Sequence, residues 1–160
     1  MTTPQPGLRQ LNLLWFTVLA APMMIGIAIA LMVWVGNYQA SMQLMPTDTL
    51  RMAAMGAMAL TLVVARPLRD ALMTPQAMAQ RPIQGSTGHS PAVMKVQASM
   101  FILLGVLDFV AVAIVALSLM HADAMLALLN GVYGLVLAVI ARPDFATLIE
   151  RTEQQLKRAS

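Results

Sequence analysis

The chain has 160 residues, 59% of them hydrophobic and only 11% charged, with a mean hydropathy of +0.73, whereas a soluble domain is about 45–50% apolar and about 25% charged. That balance excludes an ordinary soluble globule and leaves too little polar sequence for a second folded domain. With no cysteine, disulfides, thiolate metal sites and cysteine nucleophiles are excluded, and a net charge of +3 without a basic run interleaved with aromatics excludes a nucleic-acid groove.

Four apolar runs predict an all-α, polytopic membrane protein: four transmembrane helices in a bundle over residues 1–142, followed by a cytoplasmic amphipathic tail over 143–160. The first span covers about residues 11–35. It is too long, with only Arg9 ahead of it, to read as a cleavable signal, so it is expected to be a retained helix. Pro22 is expected to kink it. Trp34 and Tyr38 at one end, and Trp15 and Phe16 at the other, fit aromatic anchors at the two interfaces.

The second span, about 50–65, is short, with Arg51 and Arg66 snorkelling from its ends. Residues 66–95 form a cytoplasmic loop, and its Thr74 to Ser90 stretch, rich in Pro, Gly, Gln and Ser, reads as irregular and mobile. The third span, 96–120, and the fourth, 124–141, are separated by a tight turn from His121 to Asp123. Spans two and four both finish on Ala-Arg-Pro, at Ala65 to Pro67 and Ala141 to Pro143, which reads as a shared cytoplasmic exit formed by convergence. After Pro143, the spacing of Phe145, Leu148, Ile149 and Leu156 predicts a short amphipathic helix. Pro143 is expected in its first turn, Asp144 at its N-terminus and a Glu153 to Lys157 pair on its surface. This helix is expected to rest on headgroups or on its own bundle.

Nine of the ten Lys and Arg residues lie before span one, between spans two and three, or after span four; only Arg51 is on the other side. Positive charge accumulates in the cytoplasm, so both termini are expected there, in a multi-pass protein of the inner (plasma) membrane.

Asp108 interrupts an otherwise unbroken apolar stretch near the middle of span three. An ionisable group at that depth is a functional candidate, here a protonatable or cation-binding carboxylate. The alternative is a hydrogen bond to a polar partner such as Asn130, Ser99 or Thr61 that only holds helices together.

Span two combines Ala53, Ala54, Gly56, Ala57 and Ala59 with the Ala65-Arg66-Pro67 exit, and span three carries Gly105-Val106-Leu107-Asp108. This 51–120 hairpin resembles the rotary ATP synthase c subunit, with its small-residue helix, Arg-containing cytoplasmic turn and Gly-x-x-Asp helix. The resemblance implies that Asp108 matches the ion-carrying carboxylate and Arg66 and Pro67 the turn. The chain departs from that pattern in its single Gly on span two, its longer loop, the missing Gln of the turn and the two flanking spans.

Fifteen methionines are present, among them Met52, Met55 and Met58 on span two with Met42 and Met45 nearby. A thioether Cu(I) ladder is one reading and adaptable packing the expected one, because three-residue spacing spreads sulfurs around a helix. Gly26 with Ala30, Gly134 with Ala138, and Gly56 are packing marks that let helix backbones approach. His89 lies in the loop without a second ligand. No catalytic motif is present, so the expectation is a non-enzyme without cofactor or bound metal: an accessory or structural subunit in contact with lipid and with other membrane subunits or copies of itself, and alternatively a c-like ion-translocating element using Asp108.

Overall fold

A computed structural model describes residues 6–82 and 90–159 of the chain. Six helices follow in order: α1 (Pro6–Trp34), α2 (Thr47–Leu72), α3 (Pro75–Ala79), α4 (Pro91–His121), α5 (Ala124–Ile140) and α6 (Phe145–Ala159), with no strand among the described residues. Three of them, α1, α2 and α4, are long and apolar enough to cross a membrane. The seventeen residues of α5 extend only about 25 Å, short of the roughly 30 Å hydrocarbon core. Together with α6, from which it is bent by 47°, α5 meets the same length and composition requirement.

The closest packing is between α1 and α5. They run antiparallel in a steady register: Gly26 meets Ala127, Leu19 meets Gly134, and Trp15 meets Ala138. A Cβ on Gly26 would come within 2.5 Å of the Ala127 carbonyl oxygen, and one on Gly134 within 2.5 Å of that of Leu19. Only glycine allows backbones this close, so these small residues serve a contact inside one chain. Ala30 and Ala138 are buried as well. Gly56 differs. Among the described residues a Cβ at this position would meet nothing within 4 Å, and the residue is exposed, so it takes no part in packing among them.

Trp15 is fully buried and is therefore a core residue, in place of the expected interfacial anchor. Its Nε1–H donates to the Ala138 carbonyl at 2.9 Å, and its ring meets Phe145 edge-on at 6.3 Å. Ala138 lies in the last turn of α5, where carbonyls lack helical partners, so the indole satisfies an acceptor that the helix end leaves open. Trp34 is 62% exposed at the opposite end of α1, as a rim residue would be.

The 66–95 segment is more helical than its composition suggests. Helix α2 runs through Arg66-Pro67 to Leu72, because Pro67 lies on the exposed side, where the carbonyl it frees can be solvated. Thr74 caps α3 by accepting from the Ala77 amide at 3.3 Å, with Pro75 at the first helical position. The same Ser/Thr-Pro device starts α4 five residues before the expected span, with Ser90 accepting from Val93 N–H at 3.4 Å. His89 lies outside the described residues.

Lys95, expected in the loop, is instead buried in α4. Its Nζ donates to the carbonyls of Ala79 and Arg81 at the end of α3, a favourable place for a cation. Pro143 falls in the break between α5 and α6, outside the first turn of α6. Asp144 caps that helix through the Thr147 amide at 3.3 Å and hydroxyl at 2.7 Å. Phe145 and Ile149 of α6 are buried in the common core, and Leu148 and Leu156 pack against it. The tail helix thus lies on its own bundle.

Candidate functional site

Helices α2, α4 and α5 meet in two places where polar side chains converge, and the two differ in how well those groups are satisfied. The first is the end formed by the α4–α5 turn. Ala122 adopts the left-handed conformation (φ 51°), which reverses the chain in three residues. Asp123 then caps α5 by accepting from Leu126 N–H at 3.0 Å. Arg51 of α2 reaches across to the same carboxylate with two bonds, Nε to Oδ2 at 2.8 Å and Nη2 to Oδ1 at 2.9 Å.

Burial opposes ionisation of Asp123, but the Arg51 and Leu126 hydrogen bonds outweigh it and hold the carboxyl below its ordinary range. His121 Nε2 accepts the Leu44 amide at 3.3 Å, and the Met42 amide donates to Met120 O, so the α1–α2 loop is tied to the same corner. Arg51, expected to snorkel, is thus the clamp of this corner. In the sequence, the signal for it is the lone Arg51 between Arg9 and Arg66 together with the Asp of the tight His121 to Asp123 turn.

The second place is mid-way along the helices. Asp108 lies near the centre of α4 and is half-buried, and its Oδ1 is enclosed with no hydrogen-bond partner among the described residues. Among the described residues no cation pairs with it; the ion pairs join Arg51 to Asp123 and Arg69 to Asp70.

Tyr133 of α5 is buried beside it. Its hydroxyl lies near Thr61 of α2 and Asp108, yet among the described residues it closes no hydrogen bond. The three groups are near without being aligned. Register explains the convergence. Along the parallel α2–α5 pair, Arg51 faces Asp123 and Arg69 Nη1 donates to Arg142 O at 3.1 Å, offsets that bring Thr61 to the level of Tyr133. Along the antiparallel α4–α5 pair, Asn130 Nδ2 donates to Ala111 O at 2.9 Å, which brings Tyr133 to Asp108.

Of the expected partners of Asp108, Thr61 belongs to this cluster, although its own Oγ1–H donates to Ala57 O at 2.8 Å. Asn130 lies one turn away, fully buried, bonded to the α4 backbone and with its Oδ1 unpartnered. Ser99 lies nine residues before Asp108, about 13 Å along the axis, and is no partner to it. Tyr133 is not singled out by the sequence pattern; a lone phenol inside an apolar span, at a helix position facing Asp108 in an antiparallel pair, is the signal that marks it.

The methionine ladder does not converge. Met52 and Met55 are 70% and 46% exposed while Met58 is buried, so their sulfurs point to different sides of α2. Among the described residues no group of three or more His, Cys, Asp or Glu side chains gathers as a metal site.

No protein-family model, no curated protein and no solved structure matches this chain. The chemistry of the cluster itself is what bears on function.

Proposed function

We propose that the chain is a multi-pass protein of the inner membrane in which Asp108 takes up and releases a proton, with Tyr133 and Thr61 as its polar neighbours on α5 and α2. The observation that carries this reading is the enclosed, unpartnered Asp108 Oδ1. A carboxyl kept only to hold helices together would be expected to close a hydrogen bond, because an unsatisfied polar group in hydrocarbon costs several kcal/mol, by the usual order-of-magnitude figure. A carboxyl that cycles between COO⁻ and COOH needs a neighbour that can accept from the acid and donate to the carboxylate. A phenol does both. The step is simple: a proton from one aqueous side adds to Asp108, and the same proton leaves to the other.

In this reading α5 is the fourth span, α1, α2, α4 and α5 alternate in direction, and α3, α6 and both termini face the cytoplasm, as the arginine distribution favours. The likeness to the c subunit agrees with this use of Asp108 and adds no further support.

The second reading is an accessory subunit of a larger assembly, and Gly56 favours it: an open glycine on α2, flanked by exposed Ala53 and Ala57, is suited to seat a helix from another chain. Purified full-length protein in proteoliposomes under a pH gradient separates the two. Proton flux that is present in the wild type and abolished by Asp108→Asn, with assembly intact, supports the first. Equal flux from wild type and Asp108→Asn would leave the accessory reading.

A further inference from the structure

At the end of the bundle opposite the Arg51–Asp123 corner, α2, α3 and α6 enclose two adjoining clefts of about 520 and 670 Å³ that share Thr74, Pro75 and Arg151. Four arginines line them: Arg69, Arg142, Arg151 and Arg158. Two of these are already held. Arg69 pairs with Asp70 at 2.7 Å and donates to Arg142 O, while Arg142 donates to Asn12 Oδ1 at 3.1 Å and lies over the Phe16 ring at 5.3 Å. The other two, Arg151 and Arg158, are exposed and make no hydrogen bond or ion pair among the described residues.

They stand two helical turns apart on one face of α6, with Gln154 and Gln155 between them, so that positions i, i+3, i+4 and i+7 all present donors to the same cleft. The acidic groups that face this region are engaged: Asp70 with Arg69, and Asp144 with Thr147, whose hydrogen bonds hold that carboxyl below its ordinary range. Glu150 and Glu153 of α6 do not line the clefts. The result is a concave, net positive site with two uncommitted guanidinium groups.

We infer that this site binds the phosphate of an anionic phospholipid headgroup. Guanidinium groups match phosphate oxygens in geometry as well as charge, and basic recesses at the cytoplasmic ends of membrane helices suit such headgroups. A lipid is favoured over a free anion by what leads away from the cleft. Val63 lies seven residues before Asp70, hence on the same face of α2, and is 76% exposed; Leu60, a turn further on, is 66% exposed. Val139, three residues before Arg142, is 70% exposed on α5. An acyl chain can follow the exposed apolar face of α2 at Val63 and Leu60 while its headgroup occupies the arginine cleft. The inference rests on the membrane placement proposed above and is independent of Asp108.

The test is native mass spectrometry of the full-length, detergent-purified protein titrated with phosphatidylglycerol, phosphatidylcholine or inorganic phosphate. Phosphatidylglycerol should bind the wild type in preference to phosphatidylcholine. Arg151→Gln/Arg158→Gln should weaken it about 30-fold, since each arginine at an anionic surface is worth about 1 kcal/mol, a factor of about five. Arg151→Lys/Arg158→Lys should retain most of the binding. Arg9→Gln/Arg81→Gln removes the same charge outside the cleft and should leave the preference unchanged.

Equal losses in the two Gln double variants would overturn the site in favour of net charge. Inorganic phosphate that bound as tightly and displaced the lipid would overturn the lipid assignment and make it a free-anion site. Because proton flux is not read here, failure of this site and failure of the Asp108 reading are distinguishable.

Discussion

Asp108 and Asp123 sit fifteen residues apart, on α4 and in the turn that follows it, and both face α5 and α2, yet their surroundings are opposite. Asp123 is 4% exposed and fully engaged, holding two bonds from Arg51 and one from the α5 amide. Asp108 is less buried, and its enclosed Oδ1 has no such bond among the described residues. A buried charge with a bidentate partner and a helix cap is a fastening, since its ionised state is fixed by what it binds. A carboxyl with polar neighbours but no committed bond has no such fixed partner, which is what the proposed proton-carrying role requires. On the proposed reading, the difference separates a group that holds the bundle from one that acts within it.

The largest expected effect tests that separation directly. Asp108→Asn removes titration while keeping shape, so proton flux in proteoliposomes should vanish while the detergent melting temperature stays near wild type. Asp123→Asn should do the reverse, leaving flux and lowering stability. Flux lost in both, or melting lowered equally in both, would erase the distinction.

Next in size is Asp123→Ala. Loss of the α5 cap is worth about 1 kcal/mol. Loss of the Arg51 pair adds about 1 kcal/mol and not the larger figure for a buried pair, because the Arg51 side chain is 40% exposed and recovers water. Denaturation in mixed micelles should therefore show about 2 kcal/mol of destabilisation, and Arg51→Gln about half of it. A change under about 0.5 kcal/mol would place Asp123 among surface groups.

The same corner should respond to acid. The Asp123 carboxyl is held below its ordinary value when folded, so its contribution is fully present above the unfolded value of about 3.9 and is lost as pH falls through the folded one. Asp144 shifts in the same direction, with its Thr147 hydrogen bonds as the leading cause, and adds to the loss at the α6 cap. Melting temperature should hold steady from neutral pH down to about 5 and then decline. The decline should be shallower in Asp123→Asn; an identical acid profile would show that other carboxylates dominate.

The two regions also differ in how readable they are from sequence. Asp108 stands out because an apolar stretch of that length makes any charge conspicuous, and Gly26 and Gly134 because small residues four apart mark close helix approach. Partners are harder to see. Thr61 and Tyr133 come to the level of Asp108 only through the α2–α5 and α4–α5 registers, which hydropathy does not encode. Arg51 and Asp123 meet through a tertiary offset of the same kind. Trp15 misleads because an aromatic near a helix end looks the same whether it anchors at an interface or fills a core. The Thr74-Pro75 and Ser90-Pro91 helix starts are legible from capping chemistry and are obscured by the polar composition around them.

The smallest effect sharpens the comparison most. Tyr133→Phe deletes the hydroxyl beside Asp108 and keeps the ring in the core. If that hydroxyl were a structural bond, its loss would destabilise the protein by about 0.5–1.5 kcal/mol. The hydroxyl is buried without a well-formed partner, and removing such a group is neutral or stabilising, since the folded state no longer holds a desolvated donor. Tyr133→Phe is therefore expected to melt at or slightly above the wild-type temperature and, on the proposed proton-carrying reading of Asp108, to slow proton flux, because it removes the nearby phenol able to accept from a carboxylic acid and donate to a carboxylate. Thr61→Val makes the parallel change on α2, with a smaller effect on flux because Thr61 already bonds to Ala57. Lower stability with unchanged flux in Tyr133→Phe would mean that the phenol is a fastening like Arg51, and Asp108 would then stand alone at the centre of the bundle.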